Sequence, residues 1–477
     1  MPTKIIVIGG GPGGYVAALR AAALGGNVRL IEKENLGGTC LNFGCIPSKI
    51  MKNSADIFLK FLKADSFGIK IQGSVSPDMA ALMKIKDKIL ENQRKGIASL
   101  LKKSGVAVET GKAEINSPGL VEIVAIDGNK KKLSYDRLII ATGTEPLNVI
   151  DFPFDHHHIL SSNDILQMDD IPESMVIVGG GVIGCEFAFI FSAMGSRVTV
   201  VEAMSRLLPL PSVDEECSKL LLREMKKRKI NVFCDTIVKS SDIKDDLVYI
   251  HLDTSPFTDV PKPKALKTNV IEAEKAVVCI GRSPLSSDLG LENIDLTTTP
   301  QGWIDANEKM ETNVEGVYAI GDILGPQKVM LAHVASHEGI VAAQNAMGGE
   351  SIMNYDVIPS AIFTMPEIGT VGLSETEAGN KGYDVKAFSV NFRTLGKAQA
   401  TDELAGSAKI IVEKESNKIL GVHLIGAHAT DLIAEATLAI QNGLTAEDIA
   451  HTIHAHPTLA EIMGELSLKA CGTPIHG

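Results

Sequence analysis

The sequence has no excess of positive charge, no membrane-length apolar run and too few cysteines for a disulfide framework. Its net charge is −12, which argues against nucleic acid or an anionic membrane as a main partner. No stretch approaches the roughly 18 apolar residues of a membrane span. Met1-Pro2-Thr3-Lys4 passes at once into an apolar strand, with no signal or transit pattern. A cytoplasmic protein is therefore the expectation, and a mitochondrial protein with its transit peptide removed reads the same way. Seven cysteines in 477 residues do not make a disulfide scaffold. Cys185, Cys217, Cys234, Cys279 and Cys471 are scattered and read as buried small hydrophobes or unreactive thiols. Cys40 and Cys45 differ, standing close together among glycines.

What is present is an ordinary globular composition, 45% hydrophobic and 22% charged, in a length that suggests about three domains at roughly 150 residues each. One pattern occurs twice. Lys4 to Ile8 is an apolar run suited to a buried parallel strand. Gly9, Gly11 and Gly14 follow as G-x-G-x-x-G, then a helical stretch from Tyr15 to Leu24 and a strand from Asn27 to Ile31 closed by Glu32. The second copy runs from the strand Met175 to Val178 through Gly179, Gly181 and Gly184. A helical stretch from Phe187 to Met194 follows, then a strand from Arg197 to Val201 closed by Glu202. The acid follows the first glycine by 23 residues in both copies. Glycine permits the tight turn and the approach of a pyrophosphate to backbone, and the helix N-terminus supplies free N–H groups and a positive dipole end. The closing carboxylate can accept hydrogen bonds from a ribose diol and would repel a 2′-phosphate, so Glu202 favours NAD over NADP. Two copies at one spacing predict two doubly wound, Rossmann-like dinucleotide domains. Each has a downstream echo, Tyr135 to Gly143 and Ala276 to Arg282, that reads either as a later strand beside the cofactor or as a plain core strand with a glycine turn.

Gly37-Gly38-Thr39-Cys40-Leu41-Asn42-Phe43-Gly44-Cys45-Ile46-Pro47-Ser48-Lys49 carries a second signal. Cys-x4-Cys is not a usual zinc spacing, and no second cysteine pair completes four ligands. A disulfide needs Cα atoms within about 7 Å, and residues five apart in a regular helix, at roughly 1.5 Å rise each, lie slightly farther and on different faces. The segment must be distorted for the pair to close, which Gly44 eases. That suggests a reducible disulfide suited to exchange; two unpaired thiols in a loop are the plainer alternative. Near the C-terminus, His454-Ala455-His456-Pro457-Thr458-Leu459-Ala460-Glu461 offers two histidines and a carboxylate around an expected helix start at Pro457. A thiol substrate needs a base, because the thiolate is the nucleophile. Imidazole titrates in the right range, and a carboxylate can fix its orientation. Taken bare, such a pair is more often structural than catalytic.

The cysteine segment resembles the redox-active signature of the pyridine nucleotide–disulfide oxidoreductases. Its Ile-Pro-Ser-Lys ending is similar to the branch that oxidises dihydrolipoamide, whereas glutathione reductases usually end the motif with two lysines. The resemblance spans nearly the whole chain and is thinnest from about 220 to 273, where Pro256 to Lys267 reads as a loop. It implies an FAD site at Gly9, Gly11, Gly14 and Glu32 and an NAD site at Gly179, Gly181, Gly184 and Glu202. Ala141, Thr142 and Gly143 fall on the FAD side, and Gly281 on the NAD side. Lys49 and Glu186 match a lysine–glutamate pair beside the flavin ring, with Glu186 counted on the nicotinamide side. Thr312 to Asp322 resembles a second FAD motif in which Asp322 contacts the ribityl chain. Leu331 to Ala335, with Ala332, resembles the stretch beneath the flavin. By the same resemblance His456 is the base and Glu461 its partner, both supplied by the other subunit of a homodimer. Cys40 exchanges with substrate and Cys45 faces the flavin.

The fold expected is α/β: an FAD domain in two segments (1–148 and 276–349), an inserted NAD domain (149–275) and a C-terminal α+β dimerisation domain (350–477). The implied function is oxidation of a dihydrolipoyl group carried by a separate protein, coupled to reduction of NAD, in service of a 2-oxo acid dehydrogenase or glycine cleavage complex. Two other kinds of reading stand beside it. One is reduction of another disulfide or of a metal ion, although mercuric reductases usually carry an adjacent C-terminal cysteine pair. The other is a non-catalytic flavoprotein, redox sensor, or NADH-to-quinone or transhydrogenase flavoenzyme, none of which needs both the cysteine pair and the base. No resident metal is expected: His156-His157-His158 reads as a solvated loop. Met365 departs from the His or Asp common at its position; it is not expected to touch catalysis, and an altered dimer contact is left open.

Overall fold

The computed structural model describes residues 1–258 and 269–476. Of the expected loop Pro256 to Lys267, the first three residues form a turn, and 259–267 lie outside the described residues.

Two five-stranded parallel sheets carry the duplicated pattern. The first runs Val317–Ala319, Arg137–Ile140, Lys4–Ile8, Asn27–Glu32, Ala107–Thr110. The second runs Asn231–Phe233, Arg197–Val201, Ser174–Val178, Lys275–Val278, Ile159–Ser161. Ile5 to Ile8 and Met175 to Val178 are buried at every position, as strands covered on both faces require. The downstream echoes are both sheet strands: Arg137–Ile140 pairs with Lys4–Ile8, and Lys275–Val278 with Ser174–Val178. The chain therefore leaves the second sheet only after Val278.

The two glycine turns repeat in detail. Gly9 and Gly179 both have left-handed φ, 103° and 107°. A Cβ on Gly9 would lie 2.2 Å from the Ala141 carbonyl oxygen, and one on Gly179 2.5 Å from that of Cys279. The third glycine lets each helix press onto its own strand end, since a Cβ at Gly14 or Gly184 would stand 1.9 Å from the first glycine's oxygen. The helices start earlier than their apolar stretches suggest, at Pro12–Ala23 rather than Tyr15 and at Val182–Met194 rather than Phe187. Proline and small residues suit a first turn facing a ligand, and apolar periodicity does not register them.

Two crossings join the units side by side, as Thr144–Pro146 pairs antiparallel with Arg282–Pro284. The C-terminal unit is an antiparallel sheet in the order Ser360–Ile362, Glu367–Gly372, Ile419–Gly426, Ser407–Glu413, Val385–Asn391. The helices Ala429–Gln441 and Glu461–Ala470 pack on it. Met365 is 6% exposed and belongs to a core shared with Met51, Ile362 and Ile425. It packs inside the chain, which tells against the altered dimer contact left open by the sequence. Among the described residues, no helix is long and apolar enough to cross a membrane.

The glycine geometry yields a paired test. Gly14→Ala should destabilise the protein by roughly 1–3 kcal/mol through overpacking. Gly96, inside the helix Met79–Lys103 with nothing within 4 Å of a built Cβ, should accept alanine and gain roughly 0.5–1 kcal/mol. Chemical denaturation of the two variants beside the parent protein measures both.

Candidate active site

The helix Gly38–Phe43 ends and the helix Cys45–Leu62 begins at Gly44, whose φ of −153° and ψ of −111° break the helical path. A Cβ there would come 3.1 Å from the Thr39 carbonyl oxygen. This break is the distortion that the cysteine spacing requires, and it brings the Sγ atoms of Cys40 and Cys45 to 2.7 Å. The two sulfurs thus form one close pair. Its two sulfurs are unequal. The hydrogen bond to Cys45 and burial push the Cys40 thiol up. The hydrogen bond from Cys40, with help from the Lys49 ammonium, draws the Cys45 thiol down against burial. The hydrogen bond therefore runs from the Cys40 thiol to the Cys45 sulfur, and Cys45 is the more readily deprotonated of the two.

Lys49 lies one helical turn beyond Cys45. Its Nζ contacts both carboxylate oxygens of Glu186, at 3.0 and 2.8 Å. Glu186 is buried on the helix Val182–Met194 and also accepts the Phe363 N–H at 2.9 Å. The Lys49 ammonium sits 4.2 Å from the Phe363 ring centroid, a cation–π contact. One ion pair thus ties the cysteine helix to the second unit and to the start of the third.

Both glycine turns fit a dinucleotide. The helices Pro12–Ala23 and Val182–Met194 have no side-chain N-cap, so their first N–H groups are free for phosphate. A Cβ on Gly181 would meet nothing within 4 Å. The Thr142 hydroxyl oxygen is buried with no protein partner, a group left for a ligand. The closing acids repeat as well. Glu32 accepts the N–H of Gly10 at 2.7 Å and of Glu34 at 2.8 Å. Glu202 accepts those of Gly180 at 2.6 Å and Met204 at 2.7 Å. Each carboxylate is thereby aimed, with lone pairs left for a ribose. Gly143 and Gly281 sit at the paired crossings, where Leu285 N–H donates to the Gly143 oxygen and Leu147 N–H to the Gly281 oxygen.

Asp322 follows the strand Val317–Ala319 in the short 3-10 turn Gly321–Leu324. Its Oδ2 accepts from the Thr144 hydroxyl at 3.3 Å, and the Arg282 Nε donates to the same hydroxyl at 2.6 Å. Burial pushes the Asp322 carboxyl up, opposed by Arg282. Ala332 opens the next helix, Ala332–Ala346. Thr144 lies just beyond its strand-end motif and Arg282 closes the other without being given a role, and their meeting needs the antiparallel crossing.

At the C-terminus His456 Nδ1 lies 2.8 Å from Glu461 Oε1, and the Thr458 N–H donates to Glu461 Oε2 at 2.9 Å. Burial pushes Glu461 up, but these two bonds outweigh it and hold the carboxyl below its usual range. The His456 side chain is 74% exposed, so its Nε2 faces outward. Among the described residues, neither cysteine sulfur hydrogen-bonds to His456 or Glu461 of the same chain. The expected helix start at Pro457 is corrected: the helix is Glu461–Ala470, and Glu461 reaches back to the Thr458 amide ahead of it. His454, given no role in the sequence reading, is fixed by Glu435 at 2.9 Å. In the histidine run, His158 spends one ring nitrogen on Asp155 at 3.2 Å and the other on Asp246 at 2.9 Å. The cluster of His157, His158 and Asp246 therefore has no free His158 lone pair for a metal.

Comparison with known proteins accords with this geometry. Residues 3–339 match the family model described as pyridine nucleotide-disulphide oxidoreductase, and residues 358–467 match its dimerisation domain. The dihydrolipoyl dehydrogenase of Chlamydia muridarum is 41% identical over 473 residues, covering 99% of this chain and 97% of its own. That of Geobacillus stearothermophilus is 37% identical over 475 residues, with 99% and 97% covered. The crystal structure of LpdA from Mycobacterium tuberculosis superposes with a TM-score of 0.89 at 25% identity, covering 98% of this chain and 99% of that one. The chain belongs to the pyridine nucleotide-disulphide oxidoreductase family.

Proposed function

We propose that this protein is a flavin-dependent dihydrolipoyl dehydrogenase that oxidises a protein-borne dihydrolipoyl group and reduces NAD. The observation that carries the reading is the close, unequal sulfur pair: the Cys40 thiol donates to Cys45, whose thiol is drawn down by that bond and by Lys49. Near-full-length relatives named dihydrolipoyl dehydrogenase support the substrate.

In the proposed sequence, the partner subunit's His456 takes the proton of one substrate thiol. The thiolate attacks Cys40 Sγ and breaks the Cys40–Cys45 disulfide, and the electron pair stays on Cys45. The second substrate thiol, deprotonated in turn, attacks the substrate sulfur of the mixed disulfide and releases Cys40. Substrate leaves as the cyclic disulfide. Cys40 leaves as a thiolate, takes one of the two protons back from the partner's His456 while the other passes to solvent, and then donates a hydrogen bond to the Cys45 sulfur. Lys49, held by Glu186, stabilises the negative charge that gathers at this point. Glu461 fixes the His456 tautomer by occupying Nδ1. What FAD and NAD supply when bound is two-electron acceptance, first from the dithiol and then as hydride. FAD is assigned to Gly9, Gly11, Gly14, Glu32, Thr142 and Asp322, and NAD to Gly179, Gly181, Gly184 and Glu202. The uncapped helix ends and the orphaned Thr142 hydroxyl support these assignments.

The matched dimerisation domain supports a homodimer. Service to a 2-oxo acid dehydrogenase or glycine cleavage complex is part of the proposal, as is a cytoplasmic location, which seven free thiols suit. The division into a flavin unit (1–148 and 276–349), a nicotinamide unit (149–275) and an interface unit (350–477) is proposed too. Strand pairing moves the return to the flavin unit past Val278.

Steady-state assays test the substrate. Dihydrolipoamide should reduce NAD rapidly and NADP poorly, and glutathione disulfide should not support NADH oxidation; a holoenzyme inert to dihydrolipoamide would redirect the reading to another disulfide. Cys45→Ser should bind FAD yet lose dithiol turnover by on the order of 10^4-fold, the scale of losing one member of a catalytic unit. In the reduced protein, Cys40→Ala should move the Cys45 thiolate titration to higher pH, because the hydrogen bond that lowers it is gone. Lys49→Met should shift it the same way. Thiolate ultraviolet absorbance against pH reads both variants.

A further inference from the structure

Glu338 is 1% exposed, the one carboxyl among the buried residues of a helix whose buried face is otherwise small and apolar except for Asn345. Its two oxygens are both engaged. Oε2 accepts the Gly321 N–H at 2.6 Å, and Oε1 accepts the Tyr355 hydroxyl at 2.6 Å. Burial pushes this carboxyl up, and the two donors pull it back. A carboxylate removed from water is costly unless such donors meet it. Packing alone would be served by alanine here, so the carboxyl group is explained by the two contacts it makes.

It holds the turn that bears Asp322. Gly321 has a left-handed φ of 75°, and a Cβ on it would come 3.3 Å from Ala335 Cβ. The Glu338 bond fixes the direction of the Gly321 amide immediately before Asp322. The segment that leaves the turn is tied to the same tyrosine, as the Lys328 ammonium lies 4.7 Å from the Tyr355 ring centroid. Tyr355 itself belongs to the stretch leading into the third unit. The Asp322 side chain is steadied from the opposite side by Thr144. Backbone and carboxylate of Asp322 are thus constrained by independent contacts.

We propose that Glu338 and Tyr355 are positioning residues for the flavin site, holding the Gly321–Asp322 turn so that Asp322 is presented to the cofactor. The inference rests on the assignment of Asp322 to FAD. Neither residue belongs to a glycine turn, the cysteine segment or the C-terminal base, and both act through Asp322 rather than by contact with the reacting atoms.

The test is FAD release from holoenzyme on dilution, followed as the gain in flavin fluorescence, with the visible flavin spectrum and NAD affinity recorded beside it. Tyr355→Phe and Glu338→Leu should each speed release, Glu338→Leu by about tenfold, the scale of leaving buried donors unpaired. Both should perturb the flavin spectrum and leave NAD affinity unchanged. Glu338→Gln, which keeps one acceptor for Gly321, should restore most of the retention lost in Glu338→Leu. Asp322→Ala should speed release as well, and adding Glu338→Leu to it should cost little more; a merely structural role would cost the same in both backgrounds. The positioning proposal is overturned if Asp322→Ala weakens retention while Glu338→Leu and Tyr355→Phe do not, or if the two losses simply add. Wild-type retention in Asp322→Ala would instead overturn the assignment of Asp322 itself. If Glu338→Leu fails to fold, Tyr355→Phe and Glu338→Gln decide the matter alone.

Discussion

One hydrogen bond, from the Cys40 thiol to the Cys45 sulfur, organises the site. It makes two chemically identical side chains different, raising the Cys40 thiol and lowering the Cys45 thiol. The bond exists because Gly44 splits what would otherwise be a single helix, letting residues five apart face each other. Lys49, one turn farther on, strengthens the asymmetry, and its own position depends on Glu186 in another unit. The local break and the long-range ion pair cooperate: the first brings the sulfurs together so that one donates to the other, and the second adds a positive charge beside the acceptor.

The same economy governs the dinucleotide turns. In each unit a left-handed glycine, a close helix and an acid aimed by two backbone amides form one set of contacts, repeated with matching distances. Neither helix spends a side chain on its first turn, which leaves those amides to a phosphate. The C-terminal histidine is prepared and outward-facing, fixed by Glu461 on one nitrogen and open on the other. A base so arranged in one chain suits a site completed by a second copy.

Local geometry was the legible part of this sequence. The glycine spacings, the closing acids and the helix break at Gly44 all express short-range sterics, and each was readable from consecutive residues. Helix starts were less so, because Pro12 and Val182 open their helices without apolar periodicity. The preference of proline for a first helical turn placed a helix start at Pro457, four residues ahead of the one observed at Glu461. At Met365 the comparison with His or Asp said nothing of burial, and only the fold places the side chain in a core. Thr144, Arg282, Glu338 and Tyr355 were missed, since their contacts span 17 to 178 positions. For Glu338 a signal was present: a lone carboxylate on a small-residue face of a helix rarely stays there without a partner.

The central claim is that the two sulfurs have distinct tasks, Cys40 exchanging with substrate and Cys45 holding the charge. The most direct measurement is mass spectrometry of the single-cysteine-site variants Cys45→Ser and Cys40→Ser after incubation with oxidised lipoamide. The account predicts a mixed disulfide on Cys40 in Cys45→Ser and essentially none on Cys45 in Cys40→Ser. Equal labelling of both, or labelling of Cys45 alone, would contradict it.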